Sequence, residues 1–280
     1  MKTRVVLGVV LIALILGLIV ADELFARRIA ISVVLCLLGI GGWIEIAIIG
    51  GVGRRARGGS PILFGVGTAG TLYFLGLAWG VGAGWLHPEH EPLLVSTGFL
   101  GVLLGSFLAV VFRGDDVESA LAPLLLTITG VLLMGWAFSY TLRIYHLEKG
   151  DLLAVIFFFG VKGNDIAAYL VGRKLGRTRF LKVSPKKTLE GCAAAFVFSV
   201  VYFVVVSVVL PQDVFPWSRG VLVGIILSIS SQVGDLCESL IKRAHGVKDS
   251  GVLLPEYGGV LDMIDSLLFS AFLFWLSVTL

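Results

Sequence analysis

The chain is a succession of apolar runs, each close to the length a helix needs to cross a bilayer. This limits its fold before any motif is read. About 20 residues of helix span a hydrocarbon core. Runs of that order occupy 5–21, 29–49, 61–86, 92–112, 120–140, 152–172, 192–210, 217–241 and 260–280, which predicts an all-α polytopic membrane protein of nine transmembrane helices. The clearer breaks are Gly50–Ser60, His87–Glu91, Arg113–Ser119 and Thr141–Asp151. A soluble enzyme of this length would alternate short elements with polar surfaces. Here 57% of residues are hydrophobic and only 15% are charged, which excludes that class. The 36 glycines suit close helix packing in lipid.

The run Val5–Val20 follows Lys2 and Arg4, as a signal peptide would, but no A-x-A-like cleavage site comes after it, and a retained first helix is expected. Cys36, Cys192 and Cys237 are scattered without metal-ligand spacing. The chain divides into an N-terminal region of about five helices, 1–150, and a C-terminal region with basic loops, 151–280, where the chemistry concentrates.

Lys and Arg orient the helices. With a cytosolic N-terminus, the inside segments hold Lys2 and Arg4; Arg54, Arg55 and Arg57; Arg113; Arg173, Lys174, Arg177, Arg179, Lys182, Lys186 and Lys187; and Lys242, Arg243 and Lys248, sixteen in all. The outside segments hold five: Arg27, Arg28, Arg143, Lys149 and Arg219. Only an odd number of helices keeps this alternation.

Two apolar helices carry polar stripes. Lys162, Asp165, Tyr169 and Arg173 recur at intervals of three and four, and so do Ser228, Ser231, Asp235, Ser239 and Lys242. Such intervals put each set on one helix face. Asp165 precedes Arg173, and Asp235 precedes Arg243, by eight residues, about 12 Å of helix. Both acids should sit at similar depth below the cytosolic surface. A carboxylate there needs a wet cavity, a cation or a partner. One solution is a structural ion pair such as Asp165 with Lys162; the other is a cytosol-facing cavity between the sixth, eighth and ninth helices. Asp262 and Asp265 lie three apart where the last helix begins. They can serve as N-terminal helix acids, or can join Asp235 in holding a divalent cation. Ser184, Pro185, Lys186, Lys187 and Thr188 cluster before Glu190 and Gly191 in the most basic loop. Positive-inside bias explains the charge, whereas hydroxyls beside ammoniums also suit phosphate oxygens.

No Ser–His–Asp or Cys–His arrangement is visible. Carboxylates for a metal and cations for phosphate are the parts required for transfer of a phosphorus group. An acceptor that is itself a phosphate needs no strong general base, only neutralisation of two anions. The membrane setting points to a lipid as one substrate.

The segment S-x-x-K-R-x(4)-K-D-x-G-x-x-L-P-x-Y-G-G-x-x-D-M-x-D, Ser239 to Asp265, resembles the signature of the phosphatidate cytidylyltransferases (CDP-diacylglycerol synthases). DIAAYLVGRKLG (165–176), VSPKKTLEG (183–191) and GDL (234–236) resemble other segments of that family, so that the likeness covers about residues 155–280. Tyr257 stands where the family usually has His, Met263 where it has Arg, Ile166 replaces a hydroxyl residue and Leu189 a Trp. Met cannot pair with a phosphate, whereas Tyr can still donate a hydrogen bond. The resemblance implies joining of CTP and phosphatidate to give CDP-diacylglycerol and pyrophosphate, with Mg²⁺ (or Mn²⁺) and room for a second cation. It implies metal roles for Asp235, Asp262 and Asp265, and phosphate or nucleotide contacts for Ser184, Lys186, Lys187, Lys242, Arg243 and Lys248. Asp249 joins the catalytic candidates, and Asp165, Tyr169, Thr188, Glu190, Tyr257, Gly258 and Gly259 the substrate-binding ones.

The expected partners are CTP, phosphatidate or a similar lipid phosphate, and membrane lipids, without nucleic acid; a homodimer is compatible. The expected location is a bacterial-type inner membrane, with the active site facing the cytosol. Three alternatives stay open: a related CTP-dependent enzyme (another phospholipid substrate, or a polyprenol kinase), a catalytically weak paralogue, and a cation- or proton-coupled transporter.

Overall fold

The computed structural model describes residues 17–18, 22, 28–54, 59–112, 117–212, 214–251 and 258–280. Apart from Gly17 and Leu18, the helix expected at 5–21 lies outside the described residues, as does Tyr257. Most of the described residues are helical: α1 (Ile29–Ile49), α2 (Pro61–Gly82), α3 (Glu91–Val111), α4 (Val117–Gly130), a π-helical stretch (Val131–Ala137), α5 (Phe138–His146), α6 (Gly150–Leu175), α7 (Leu189–Val209), α8 (Gly220–Ala244), α9 (Val260–Ile264) and α10 (Leu267–Thr279). Among the described residues eight segments are long and apolar enough to cross a membrane: Ile29–Ile49, Pro61–Gly82, Pro88–Val111, Ser119–His146, Gly150–Leu175, Leu189–Val209, Trp217–Ala244 and Val260–Thr279. The protein is therefore an all-α polytopic membrane protein, as its hydropathy predicts.

Two compact units divide the chain. The first comprises Met1–Leu147 and Asp249–Met263. Its helices start on local signals: the Ser60 hydroxyl accepts the Leu63 N–H at 3.1 Å with Pro61 in the first turn of α2. The Trp43 indole is wholly buried and donates to Thr68 at 3.0 Å. The fourth span departs from the expected 120–140. It runs on through the π-helical stretch to His146, past the expected break at Thr141. Polar partners permit this. Buried Arg143 pairs with Glu91, Tyr145 donates to the buried Asp22 carboxylate at 3.0 Å, and Arg28 donates to the carbonyls of Tyr145 and Leu147 at 3.0 and 2.8 Å. Residues that look like loop in a polarity profile thus form a buried helix, because the charged and aromatic side chains Arg143, Tyr145 and His146 each have a polar partner.

The second unit comprises Glu148–Lys248 and Ile264–Leu280. Phe157, Phe203, Phe215 and Phe274 form its aromatic centre, with Phe274 stacked on Phe157 at 5.2 Å and all four buried. The sequence predicts one helix over 260–280, but the backbone leaves the helix at Asp265–Ser266 and resumes at Leu267. The Asp265 carboxylate accepts the Ser266 N–H at 2.6 Å there, replacing a helical bond. α8 presents Gly234 to this break, so close to the Asp265 carbonyl that a Cβ would collide with it.

Gly234→Ala should destabilise the protein by about 1–3 kcal/mol, the usual cost of overpacking. Thermal unfolding in detergent measures this. An unchanged transition would show that α8 does not hold the break at Asp265.

Candidate active site

In the second unit α6 and α8 meet through a polar seam. Asn164 is buried, donates to Ser231 at 3.2 Å and accepts from Ser228 at 3.1 Å. Gln232 donates to Ser228 at 3.2 Å, and Ser231 donates to Asp165 at 3.3 Å. The 3–4 spacing of Ser228, Ser231 and Asp235 makes this seam, since it holds the polar groups of α8 on one face. Hydrogen bonds between small polar side chains join helices where the hydrophobic effect cannot.

The seam leads to three carboxylates. Asp235, Glu238 and Asp265 each offer an oxygen, and the three oxygens lie within 4.8 Å of one another. Each carboxylate has an ammonium beside it: Lys187 lies 2.7 Å from Asp235, Lys242 2.6 Å from Glu238, and Lys162 3.8 Å from Asp265. Lys162 also reaches Asp165 at 3.5 Å and donates to Ser266 at 2.7 Å. The Lys162–Asp165 ion pair that the sequence allows is thus formed, beside the group of three acids. An all-oxygen donor set of two aspartates and a glutamate suits a hard divalent cation, Mg²⁺ or Mn²⁺, rather than a thiolate-seeking metal. The three carboxylates and their three lysines balance in charge.

The basic loop is ordered by its own polar groups. The Lys187 N–H donates to the Ser184 carbonyl at 3.0 Å, closing a turn that leaves Lys186 exposed. Lys187 points the other way, to Asp235 and, at 3.3 Å, to the Gln232 carbonyl. Thr188 caps α7 by accepting the Gly191 N–H at 3.2 Å. The Glu190 carboxylate accepts the Thr178 N–H at 3.1 Å and ties the loop to α7. Tyr169 is exposed and accepts from Arg173 at 3.0 Å. Arg243 is exposed and donates to the Val247 carbonyl at 3.1 Å; Lys248 is exposed.

The remaining described candidates, Asp249, Gly258, Gly259 and Asp262, belong to the first unit. Asp249 is exposed. One Asp262 oxygen accepts the Gly259 N–H at 2.8 Å, the Ser250 N–H at 3.0 Å and lies 2.7 Å from the Ser250 hydroxyl. Asp262 is the third residue of α9 and reaches back to the residue before it, the reciprocal half of a capping box. Gly258 has φ +87°, and a Cβ on it would strike the Asp262 carboxylate. A Cβ on Gly259 would strike Glu45 and Ser250. The glycine pair therefore answers both a left-handed backbone and a crowd of carboxylates.

Sequence reasoning missed Glu238 and Glu45. Glu238 had a signal, lying three residues after Asp235 and four before Lys242 on one helix. The stripe drawn through Ser231, Asp235 and Ser239 passed it by. Glu45 had a weaker one, as the single charged residue of α1.

A family model described as the cytidylyltransferase family matches residues 2–280. A phosphatidate cytidylyltransferase of Synechocystis sp. is 35% identical over 190 residues, covering 66% of this chain and 62% of the relative. One from Bacillus subtilis is 37% identical over 138 residues, 49% of this chain and 51% of the relative. One from Helicobacter pylori is 33% identical over 184 residues, 61% of this chain and 68% of the relative. The chain spans about half the length of the curated relatives it matches.

Loss of one carboxylate should weaken Mn²⁺ binding to the purified protein. Titration of wild type, Glu238→Gln and Asp265→Asn followed by the Mn²⁺ paramagnetic signal should show affinity falling roughly tenfold or more in each variant, the scale known for disturbed metal shells. Equal affinity in all three proteins would remove these carboxylates from any metal site.

Proposed function

This chain belongs to the cytidylyltransferase family, and from that premise we propose that it transfers the cytidylyl group of CTP to phosphatidate, giving CDP-diacylglycerol and pyrophosphate. The observation that carries the proposal is the group Asp235, Glu238 and Asp265, each paired with a lysine in an apolar helical unit. A phosphate oxygen of phosphatidate forms a bond to the α-phosphorus of CTP while the bond from that phosphorus to the bridging oxygen breaks. The bond's electron pair leaves with pyrophosphate. The attacking phosphate is already an anion, so no side chain must remove a proton, which agrees with the lack of a nucleophile or base motif.

Asp235, Glu238 and Asp265 would hold Mg²⁺ or Mn²⁺, which supplies charge neutralisation at the phosphates. Lys187, Lys242 and Lys162 hold the carboxylates in place beforehand, then turn their ammoniums to phosphate oxygens as the anions enter. Lys186, exposed at the turn, meets the nucleotide first, together with Ser184, Arg243 and Lys248. The roles implied for Asp262 in metal binding, for Asp249 in catalysis, and for Asp165, Tyr169, Thr188, Glu190, Tyr257, Gly258 and Gly259 in substrate binding stand as part of the proposal. The excess of Lys and Arg on alternate loops supports a site facing the cytosol, where CTP is available.

The test is incubation of the purified full chain with CTP labelled at the α-phosphate, phosphatidate and Mg²⁺. Label should enter lipid with one pyrophosphate released per CDP-diacylglycerol formed. Release of CDP with unlabelled lipid would mark a kinase and overturn the proposal. Lys186→Ala should raise the KM for CTP roughly tenfold, the worth of one charged hydrogen bond, with kcat little changed. Unchanged CTP dependence would remove Lys186 from the nucleotide site.

A further inference from the structure

We propose that Glu45 is a positioning residue for the described parts of the signature segment, clamping Ser250 to the start of α9. The proposal rests on the assignment of that segment to the active site. α1 is apolar throughout, with Glu45 as its single charged residue. A lone acid in such a helix is costly and is a functional candidate by default. Its carboxylate is fully employed. One oxygen accepts the Val260 N–H at 2.8 Å. The other accepts the Leu261 N–H at 2.8 Å and the Ser250 hydroxyl at 2.7 Å. These partners lie 205 to 216 residues away in the chain.

The arrangement does more than satisfy one acid. The first N–H groups of a helix have no partner within it. Glu45 takes those of Val260 and Leu261, and Asp262 takes that of Gly259. The buried Ser250 hydroxyl lies 2.7 Å from Glu45 and 2.7 Å from Asp262, linking the two carboxylates. Gly259 is compact enough to lie under both Glu45 and Ser250. Glu45 therefore fixes the neighbours of Asp249 on one side, and the helix that carries Asp262 on the other. Only a carboxylate can accept from three donors in this way without turning a donor of its own toward one of them.

Glu45→Gln tests the clamp with little change of shape. It puts an NH₂ against donors and removes the charge. Hydrogen–deuterium exchange of the peptide covering 258–265, followed by mass spectrometry, should be faster in Glu45→Gln by roughly tenfold, as expected for loss of a charge-assisted hydrogen bond. In the same preparation kcat should fall roughly tenfold while KM for CTP stays within about threefold, because a misplaced group costs the transition state and not the initial nucleotide contact. Glu45→Asp, which keeps the charge, should recover part of kcat. Ser250→Ala should add little to Glu45→Gln, because residues sharing one network are not additive. Wild-type exchange rates in Glu45→Gln would overturn the clamp. Faster exchange with unchanged kcat would reduce Glu45 to a structural acid and overturn its positioning role. Should Glu45→Gln fail to fold, Ser250→Ala, which opens the other side of the clamp, decides by the same two measurements. If wild type makes no CDP-diacylglycerol, the proposed reaction falls, while the exchange rates still decide whether the clamp exists.

Discussion

A carboxylate inside an apolar helical unit survives only with a partner, and in the C-terminal unit three of them share that constraint. The partners come from separate parts of the chain: Lys162 from the middle of α6, Lys187 from the loop before α7, and Lys242 from the end of α8. A buried charge left alone costs several kcal/mol. Each pair therefore fixes a helix or loop as well as an acid. The break at Asp265–Ser266 belongs to the same set of constraints. A regular helix there would lack the turn in which Asp265 accepts from Ser266, and Lys162 donates to that same serine. Irregular backbone within a span is tolerated where protein buries it, and Gly234 supplies the close cover.

The pairing also bears on chemistry. In the proposed reaction the paired lysines exchange a carboxylate for a phosphate oxygen, so that positive charge is already in place where charge develops. Behind them, the Asn164, Ser228 and Ser231 hydrogen bonds fix the face of α8 from which Asp235 and Glu238 project. Thr188 and Glu190 have structural work at the start of α7, while Lys187 is drawn to Asp235 and Lys186 stays exposed. In the first unit two carboxylates, Glu45 and Asp262, serve backbone N–H groups instead. Glu45 and Asp262 complete the start of α9, and Gly258–Gly259 gives them room.

Hydropathy alone located the spans to within a few residues where they are uniformly apolar, as at Ile29–Ile49, because a helix in lipid needs only length and apolar composition. It placed the end of the fourth span too early. Arg143 and His146 look like loop residues until their partners are known, and those partners, Glu91 and Ser32, are remote in sequence. Local spacing drew the α6 and α8 stripes, because hydrogen-bonding neighbours on a helix recur at three and four. It passed over Glu238, which shares that periodicity with Asp235 but fell outside the chosen stripe.

The sequence by itself determined that this is a polytopic helical membrane protein with acids and bases gathered in its C-terminal half, since length, polarity and periodicity are local properties. The motif segments also carried the family. Tertiary structure alone decided that Glu238 completes the group with Asp235 and Asp265, that Lys187 turns inward while Lys186 faces out, and that Glu45 meets Ser250 and the start of α9. Each of those facts depends on groups dozens to hundreds of residues apart, or on which way a side chain turns. Burial of charge selects such arrangements through whole-helix packing, and no local pattern encodes them.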